Sequence, residues 1–362
     1  MRVIVAPDSF KGTVTARDAA RALAAGWRSV RPDDELLLRP MADGGEGTLD
    51  ALVAALPGAV PHPVPDCTGP DGGPVTGRYA LLPDGTALVE LADTGGLPLL
   101  GDALAPLTAG TRGTGETIAA ALDAGARQVT VALGGSASTD GGAGLLAALG
   151  LRLLDDTGAD LPDGGGALTR AARLDRTALR AAPPGGVRLL TDVTNPLLGP
   201  SGAAAVYGPQ KGADPARIAV LEAGLRRFAD LLGGDPALPG SGAAGGTAYG
   251  LVTAWGARMV PGAAAVAELT GLDEALTGAG LVITGEGRFD RTSLLGKAVG
   301  EVLARAERAG VPARVVAGEA SDPGAGALTL TGLSGDPADA RHRAAHWLTA
   351  AGAQLARART AG

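Results

Sequence analysis

Residues 281–297 read Leu-Val-Ile-Thr-Gly-Glu-Gly-Arg-Phe-Asp-Arg-Thr-Ser-Leu-Leu-Gly-Lys, an apolar run that passes directly into a glycine-flanked, charged loop. A short run with no polar face suits a buried strand of a parallel sheet. The opening of the chain is built the same way, with Val3-Ile4-Val5-Ala6 followed by Pro7-Asp8-Ser9-Phe10-Lys11-Gly12. Outward from these two stretches, strand and helix patterns alternate. At one end they predict a strand at Val3–Ala6, a helix at Ala16–Ser29 capped by Thr15, a strand at Leu36–Arg39 and a helix at Gly47–Leu56. At the other end they predict strands at Leu281–Thr284, Arg314–Ala317 and Leu328–Gly332, with helices at Leu294–Ala309 and Ala338–Arg359. Right-handed βαβ units place these five strands in one parallel sheet. In the order 2-1-3-4-5, Val3–Ala6 adjoins Leu281–Thr284 where the strand order reverses, and ligands bind beyond the carboxyl ends at such a point. The loops that leave at Asp8 and at Gly285 then converge on one crevice.

The middle of the chain is an insertion between the second and third of these strands. It predicts a hairpin from Val75–Leu82 and Thr86–Leu91 about Pro83-Asp84-Gly85, strands at Gln128–Leu133 and Val187–Asp192, and helices at Thr114–Ala124, Gly141–Leu149 and Pro215–Leu232. A chain of 362 residues exceeds one typical core, so two domains are expected. With 46% hydrophobic but only 2% aromatic residues, those cores must be packed with Ala, Val and Leu. A net charge of −7 and a pI near 5.1 weigh against a nucleic-acid or anionic-membrane partner. Cys67 is the sole cysteine, which excludes an internal disulfide and a thiolate zinc site. No apolar run reaches the ~20 residues of a membrane span, and the first residues read as a strand rather than a leader. A soluble, cytoplasmic setting is expected.

Five polar, glycine-rich segments carry the candidate chemistry. Ala6–Gly12 offers Asp8 as base or metal ligand, Ser9, and Lys11 for a phosphate. Pro40–Thr48 holds Asp43 and Glu46 about one helical turn apart, a carboxylate pair that suits Mg²⁺. Gly134–Gly144 reads Gly-Gly-Ser-Ala-Ser-Thr-Asp-Gly-Gly-Ala-Gly ahead of a helix, where backbone N–H groups can cradle an anion. Thr191–Gly212 contains Asp192, the only asparagine (Asn195) and Lys211, and Gly242–Gly250 offers another phosphate contact. In Ile283–Lys297, Glu286, Arg288 and Asp290 divide the roles of metal ligand, carboxylate clamp and base. Only three of the 31 basic residues are lysines (Lys11, Lys211 and Lys297), and each stands beside a glycine. Arginine replaces lysine poorly at phosphate sites. The Walker A spacing fails at all three lysines, and no dinucleotide fingerprint follows the first strand. His342 and His346, four apart on the last helix, stand beside Arg341 and Arg343, which weighs against a metal site there.

Taken together and in order, APDSFKGTVTA, PMADGGEGT, GGSASTDGGAG, DVTNPLLGPSGAA, YGPQKGA, GAAGGTAYG and ITGEGRFDRTSLLGKAVG resemble the bacterial, type 1 glycerate kinase family from Met1 to about Gly318. One departure is Ser138-Thr139 before Asp140, which puts a hydroxyl where the family usually has an amide. The resemblance implies a flavodoxin-like domain over 1–62 and 278–362, and an inserted α/β domain with a mixed sheet over 63–277. It implies ATP and Mg²⁺ as cofactors and D-glycerate as substrate, phosphorylated to 2-phosphoglycerate, in a monomer or homodimer without nucleic acid or membrane. A 3-kinase, a kinase for another small hydroxy acid and a glycerate-responsive regulator remain as alternatives. On that reading Asp8, Lys11 and Asp290 are catalytic, with either aspartate as the base. Gly134, Gly135, Ser136, Ser138, Lys211, Gly245, Gly246 and Thr247 hold the nucleotide. Ser9, Arg288 and Lys297 bind substrate, and Asp192 and Glu286 ligate the metal.

Overall fold

The structure, a computed structural model, describes residues 1–294, 296–321 and 326–360. Its strands are β1 (Arg2–Val5), β2 (Glu35–Leu38), β3 (Val60–Thr68), β4 (Pro74–Leu81), β5 (Thr86–Glu90), β6 (Gln128–Ala132), β7 (Arg152–Leu154), β8 (Arg173–Asp175), β9 (Val187–Leu190), β10 (Arg258–Val260), β11 (Leu281–Phe289), β12 (Ala313–Ala320) and β13 (Leu328–Thr329). The chain divides into two compact units. The first comprises Met1–Asp43, Asp50–Pro57 and the residues from Pro261 onward; the second comprises Gly44–Leu49 and Gly58–Val260. Residues 261–277, expected with the insertion, therefore group with the first unit. There Arg305 ties them to the helix Ala298–Arg308 through Asp273 and the Ala264 carbonyl.

In the first unit the sheet order is β2-β1-β11-β12-β13, every pairing parallel, as the order 2-1-3-4-5 requires. Val3 pairs with Leu281 and Val5 with Ile283, and all four side chains are buried. The helix Ala16–Arg28 starts where Thr15 accepts a hydrogen bond from the Asp18 N–H at 3.1 Å, and its alanine-rich sequence favours the helical state. It packs against the helix Ala344–Thr360 at very close range, because Gly26 faces the Thr349 carbonyl and Gly352 faces that of Leu23. A Cβ on Gly352 would overlap a backbone oxygen that cannot swing away. Gly352→Ala is therefore expected to destabilise the protein by about 1–3 kcal/mol, although alanine gains up to ~1 kcal/mol of helix propensity. Thermal unfolding followed by circular dichroism measures the balance, and a raised midpoint would contradict this packing.

Three sequence expectations for this unit change. Leu295, inside the helix expected over Leu294–Ala309, lies outside the described residues, and the helix itself runs Ala298–Arg308. The strand expected at Leu328–Gly332 stops after Thr329, whose hydroxyl caps a short helix at Leu330–Ser334 by accepting from the Gly332 N–H. The single helix expected at Ala338–Arg359 breaks at Arg343 into Pro337–His342 and Ala344–Thr360. Asp339 sits across the break, accepting from Trp347 Nε1 at 2.6 Å, so His342 and His346 do not share a helix.

The second unit holds a mixed six-stranded sheet, β10-β9-β6-β5-β4-β3, in which only β5-β4 and β4-β3 are antiparallel. A separate hairpin pairs β7 with β8. The sequence reading missed β3 because Pro61, Pro63 and Pro65 fall inside it. Prolines at alternate positions lack N–H groups along one side only, which is tolerated at the outer side of an edge strand. The core is aliphatic, with Tyr79, Phe228, Tyr249 and Trp255 as its aromatic members. Among the described residues no helix is long and apolar enough to cross a membrane.

Candidate active site

A cavity of about 510 Å³ opens at the carboxyl ends of β1, β11 and β12, and every wall belongs to the first unit. Backbone hydrogen bonds set the two loops beside each other. The Ala6 N–H donates to the Ile283 carbonyl at 2.7 Å, and the Asp8 N–H donates to that of Gly285 at 2.8 Å. After Asp8 the chain turns sharply. Buried Phe10 anchors the turn, its carbonyl accepting from the Thr13 N–H and hydroxyl, and Gly12 takes a left-handed conformation (φ 76°). That turn leaves Lys11 exposed at the rim. On β11, Gly287 packs against the backbone of Phe10 and Lys11.

Seven residues singled out from sequence line this cavity together: Asp8, Ser9, Lys11, Glu286, Arg288, Asp290 and Lys297. Asp43 joins them, whereas Glu46 is exposed and is not among the lining residues. The carboxylates are not equivalent. Burial and the neighbouring Asp43 charge push Asp8 up to about 7, against the Ser9 N–H and Lys11, which pull it down. The Ser9 N–H lies 2.6 Å from Asp8 Oδ1. Glu286 is also raised, chiefly by burial, and its Oε1 is buried with no hydrogen-bond partner among the described residues. Asp290 is lowered, first by the Thr292 hydroxyl and N–H at 2.6 and 2.8 Å. One carboxyl near neutrality beside one held ionised is how a site separates a proton acceptor from a fixed charge.

The nucleotide-binding residues expected from the glycine-rich segments lie in the second unit, where several of their polar groups bond to one another. In Gly134–Gly144, the N–H of Gly134 donates to the Gly44 carbonyl, Ala137 to Gly95, Ser138 to the Ser136 hydroxyl, and Gly141 to Gly245. The N–H groups of Gly142 and Gly144 donate to Asp140, which also accepts twice from Thr111. Lys211 is buried, its ammonium 2.5 Å from the Ser138 carbonyl, and desolvation lowers it to about 8. Gly245 lies so close to Ser138 and Thr139 that a side chain would overlap them, while Gly246 packs on Gly141 and buried Thr247 bonds the Ala244 carbonyl. Gly135 alone in this loop is exposed. Thr139, at the departure from the usual family pattern, has its hydroxyl buried without a partner among the described residues. Asp192 is exposed just beyond β9 and does not line the cavity. This arrangement ties the segments to one another as architecture.

Glu319, Thr331 and Arg341 also line the cavity, and sequence reasoning missed them. Nothing after Gly318 matched a motif, yet Gly318-Glu319 lies in the carboxyl-terminal part of β12, beside the switch-point strand. The strand-end rule that singled out Asp8 and Glu286 would have found Glu319 as well.

Carboxylates and cations gathered at the switch point of a parallel sheet define an α/β enzyme site suited to small anionic ligands. The sequence profile of the glycerate kinase family matches residues 3–359. Glycerate kinase of Bacillus subtilis is 43% identical over 331 residues, covering 89% of this chain and 86% of that protein. Glycerate 2-kinase of Escherichia coli is 39% identical over 332 residues, with 89% and 86% covered. The crystal structure of a protein provisionally named glycerate kinase 2, from Salmonella typhimurium LT2, superposes with a TM-score of 0.87 at 37% identity, covering 100% of this chain and 99% of the other. The chain belongs to the glycerate kinase family.

Proposed function

We propose that this protein transfers the γ-phosphate of ATP to the 2-hydroxyl of D-glycerate, giving 2-phosphoglycerate, in the cavity of the first unit. The observation that carries the reading is Asp8, a half-buried carboxyl held near neutrality among lysine and arginine side chains. A general base works best when its pKa lies near the working pH. Asp8 accepts the hydroxyl proton at its carboxylate. Asp290, committed to Thr292, orders the turn after β11, where the Thr292 hydroxyl also meets Lys297 Nζ at 3.2 Å. Arg288 offers the planar fork that a substrate carboxylate accepts bidentately, and Ser9 holds the second hydroxyl. Lys11 and Lys297 place ammonium charges against the phosphoryl oxygens, since phosphoryl transfer demands mainly positioning and charge stabilisation. The free, buried thiol of Cys67 supports a cytoplasmic setting.

Four basic against five acidic side chains line the cavity, so an anionic nucleotide needs a further cation there. The partnerless Glu286 Oε1 and the nearby Asp43 are hard oxygen donors that fit Mg²⁺. Among the described residues no three metal-ligating side chains form a complete cage, which suits an ion that takes one or two carboxylates and fills its shell with phosphate and water. When bound, Mg²⁺ supplies charge neutralisation to the phosphates.

Phosphorus NMR of a reaction containing ATP, Mg²⁺ and D-glycerate tests the assignment. A 2-phosphoglycerate signal is expected, 3-phosphoglycerate would move the acceptor to the other hydroxyl, and no phosphorylated acid would end the kinase reading. The pH profile gives an independent check. Because Asp8 must be ionised, kcat/KM should fall on the acid side as that carboxyl takes up its proton. Asp43→Asn removes a charge that holds the Asp8 carboxyl up, so at saturating Mg²⁺ this acid limb should move to lower pH.

A further inference from the structure

The cavity is chemically graded. Asp8 follows β1 and Glu286 lies on β11, whereas the far wall of Leu330, Pro337, Ala340 and Ala344 comes from elements that follow β13, beyond β12 in the sheet order. These are the two short helices after β13 and the first residue of the 17-residue helix that follows them. The wall has few polar groups to offer, since the Thr331 hydroxyl already donates to the Gly318 carbonyl at 2.9 Å. Glycerate has an oxygen on every carbon, and pressing it against such a wall would strand hydroxyls without partners. A volume of about 510 Å³ also lies in the range of pockets for much larger ligands. Arg341, next to Ala340, also lines the cavity, its side chain 68% exposed, with Nη2 held 3.2 Å from Glu319 Oε1. A guanidinium fixed at one edge keeps a flat face for an aromatic ring. From β1 across β11 to β12 is two strand spacings, roughly 10 Å, a span suited to phosphates and ribose.

We propose that this C-terminal wall, together with Arg341, receives the purine of the nucleotide, so that ATP lies along the cavity with its terminal phosphate at the switch point. The inference rests on the kinase reading and adds the site of the base. It also fits the second unit, where the donors of Gly134–Gly144 are largely spent on the fold.

Calorimetric titration of ADP and of inorganic tripolyphosphate, both with Mg²⁺, onto the parent, Ala340→Phe and Arg341→Ala tests the assignment. Each variant should bind ADP at least tenfold more weakly while its tripolyphosphate affinity and its KM for glycerate stay within twofold of the parent. Circular dichroism verifies that Ala340→Phe is folded, and exposed Arg341 provides a variant with little packing to lose. Unchanged ADP affinity in both variants overturns the proposal, and so does a raised glycerate KM with unchanged ADP affinity, which would give the wall to the acid. Parent protein that binds no ADP would instead overturn the kinase reading on which the proposal rests.

Discussion

Asp8→Asn is expected to lower kcat by a factor of about 10²–10⁴, the usual contribution of a general base, and at the same time to raise thermal stability above neutral pH. The second half follows from linkage. The folded protein holds the Asp8 proton up to about pH 7, whereas an unfolded aspartate releases it near 3.8. Between those values the native state binds the extra proton, so its stability falls as pH rises, and above pH 7 the whole cost of ionising a buried carboxyl is present. Asparagine never ionises and carries none of that cost. Melting curves at pH 8 should favour the variant, and the difference should vanish near pH 4. A merely structural aspartate would behave oppositely, losing stability on replacement. Full activity in the variant would transfer the base role to Asp290.

Lys11→Ala should reduce turnover a hundredfold or more, about 3 kcal/mol of transition-state stabilisation, with little change in melting temperature. Lys11 is exposed at the rim, while the turn beneath it is held by Phe10 and by the hydroxyl of Thr13, so the fold loses no packing. Its charge also holds the Asp8 carboxyl down. The residual activity should therefore show an acid limb shifted to higher pH, opposite in sign to the Asp43→Asn shift. Lys11→Arg should recover only part of the loss, because a planar guanidinium does not reproduce a compact ammonium. Near-parental turnover in Lys11→Ala would remove this residue from the site.

What was legible in the sequence was the part governed by local pattern. Val3–Ala6 and Leu281–Thr284 are apolar runs too short and too uniform to be anything but buried strands, and the charged, glycine-flanked residues after them fall at the strand ends. The order 2-1-3-4-5 then brought Asp8 and Glu286 to one cavity. Burial was not legible. Lys211 stands beside a glycine just as Lys11 does, yet one ammonium is sealed against the Ser138 carbonyl and the other is exposed. No spacing rule separates them, because burial depends on the Gly242–Gly250 segment packing over the Gly134–Gly144 loop. The wall from Leu330 to Ala344 was missed for a related reason. Alanine-rich helices carry no motif, and their part in the cavity comes from the position of β12 and β13 in the sheet.

The pairing of Val3 with Leu281 across almost the whole sequence dictates when the catalytic half can exist. During synthesis the first two strands emerge long before their neighbours, and loop closure over so great a separation is slow. The intervening unit can mature on the ribosome, while β1, paired early with β2, keeps its other edge open until β11 is made. The cavity, whose lining runs from Asp8 to Ala344, is therefore completed only after the last helices have left the ribosome.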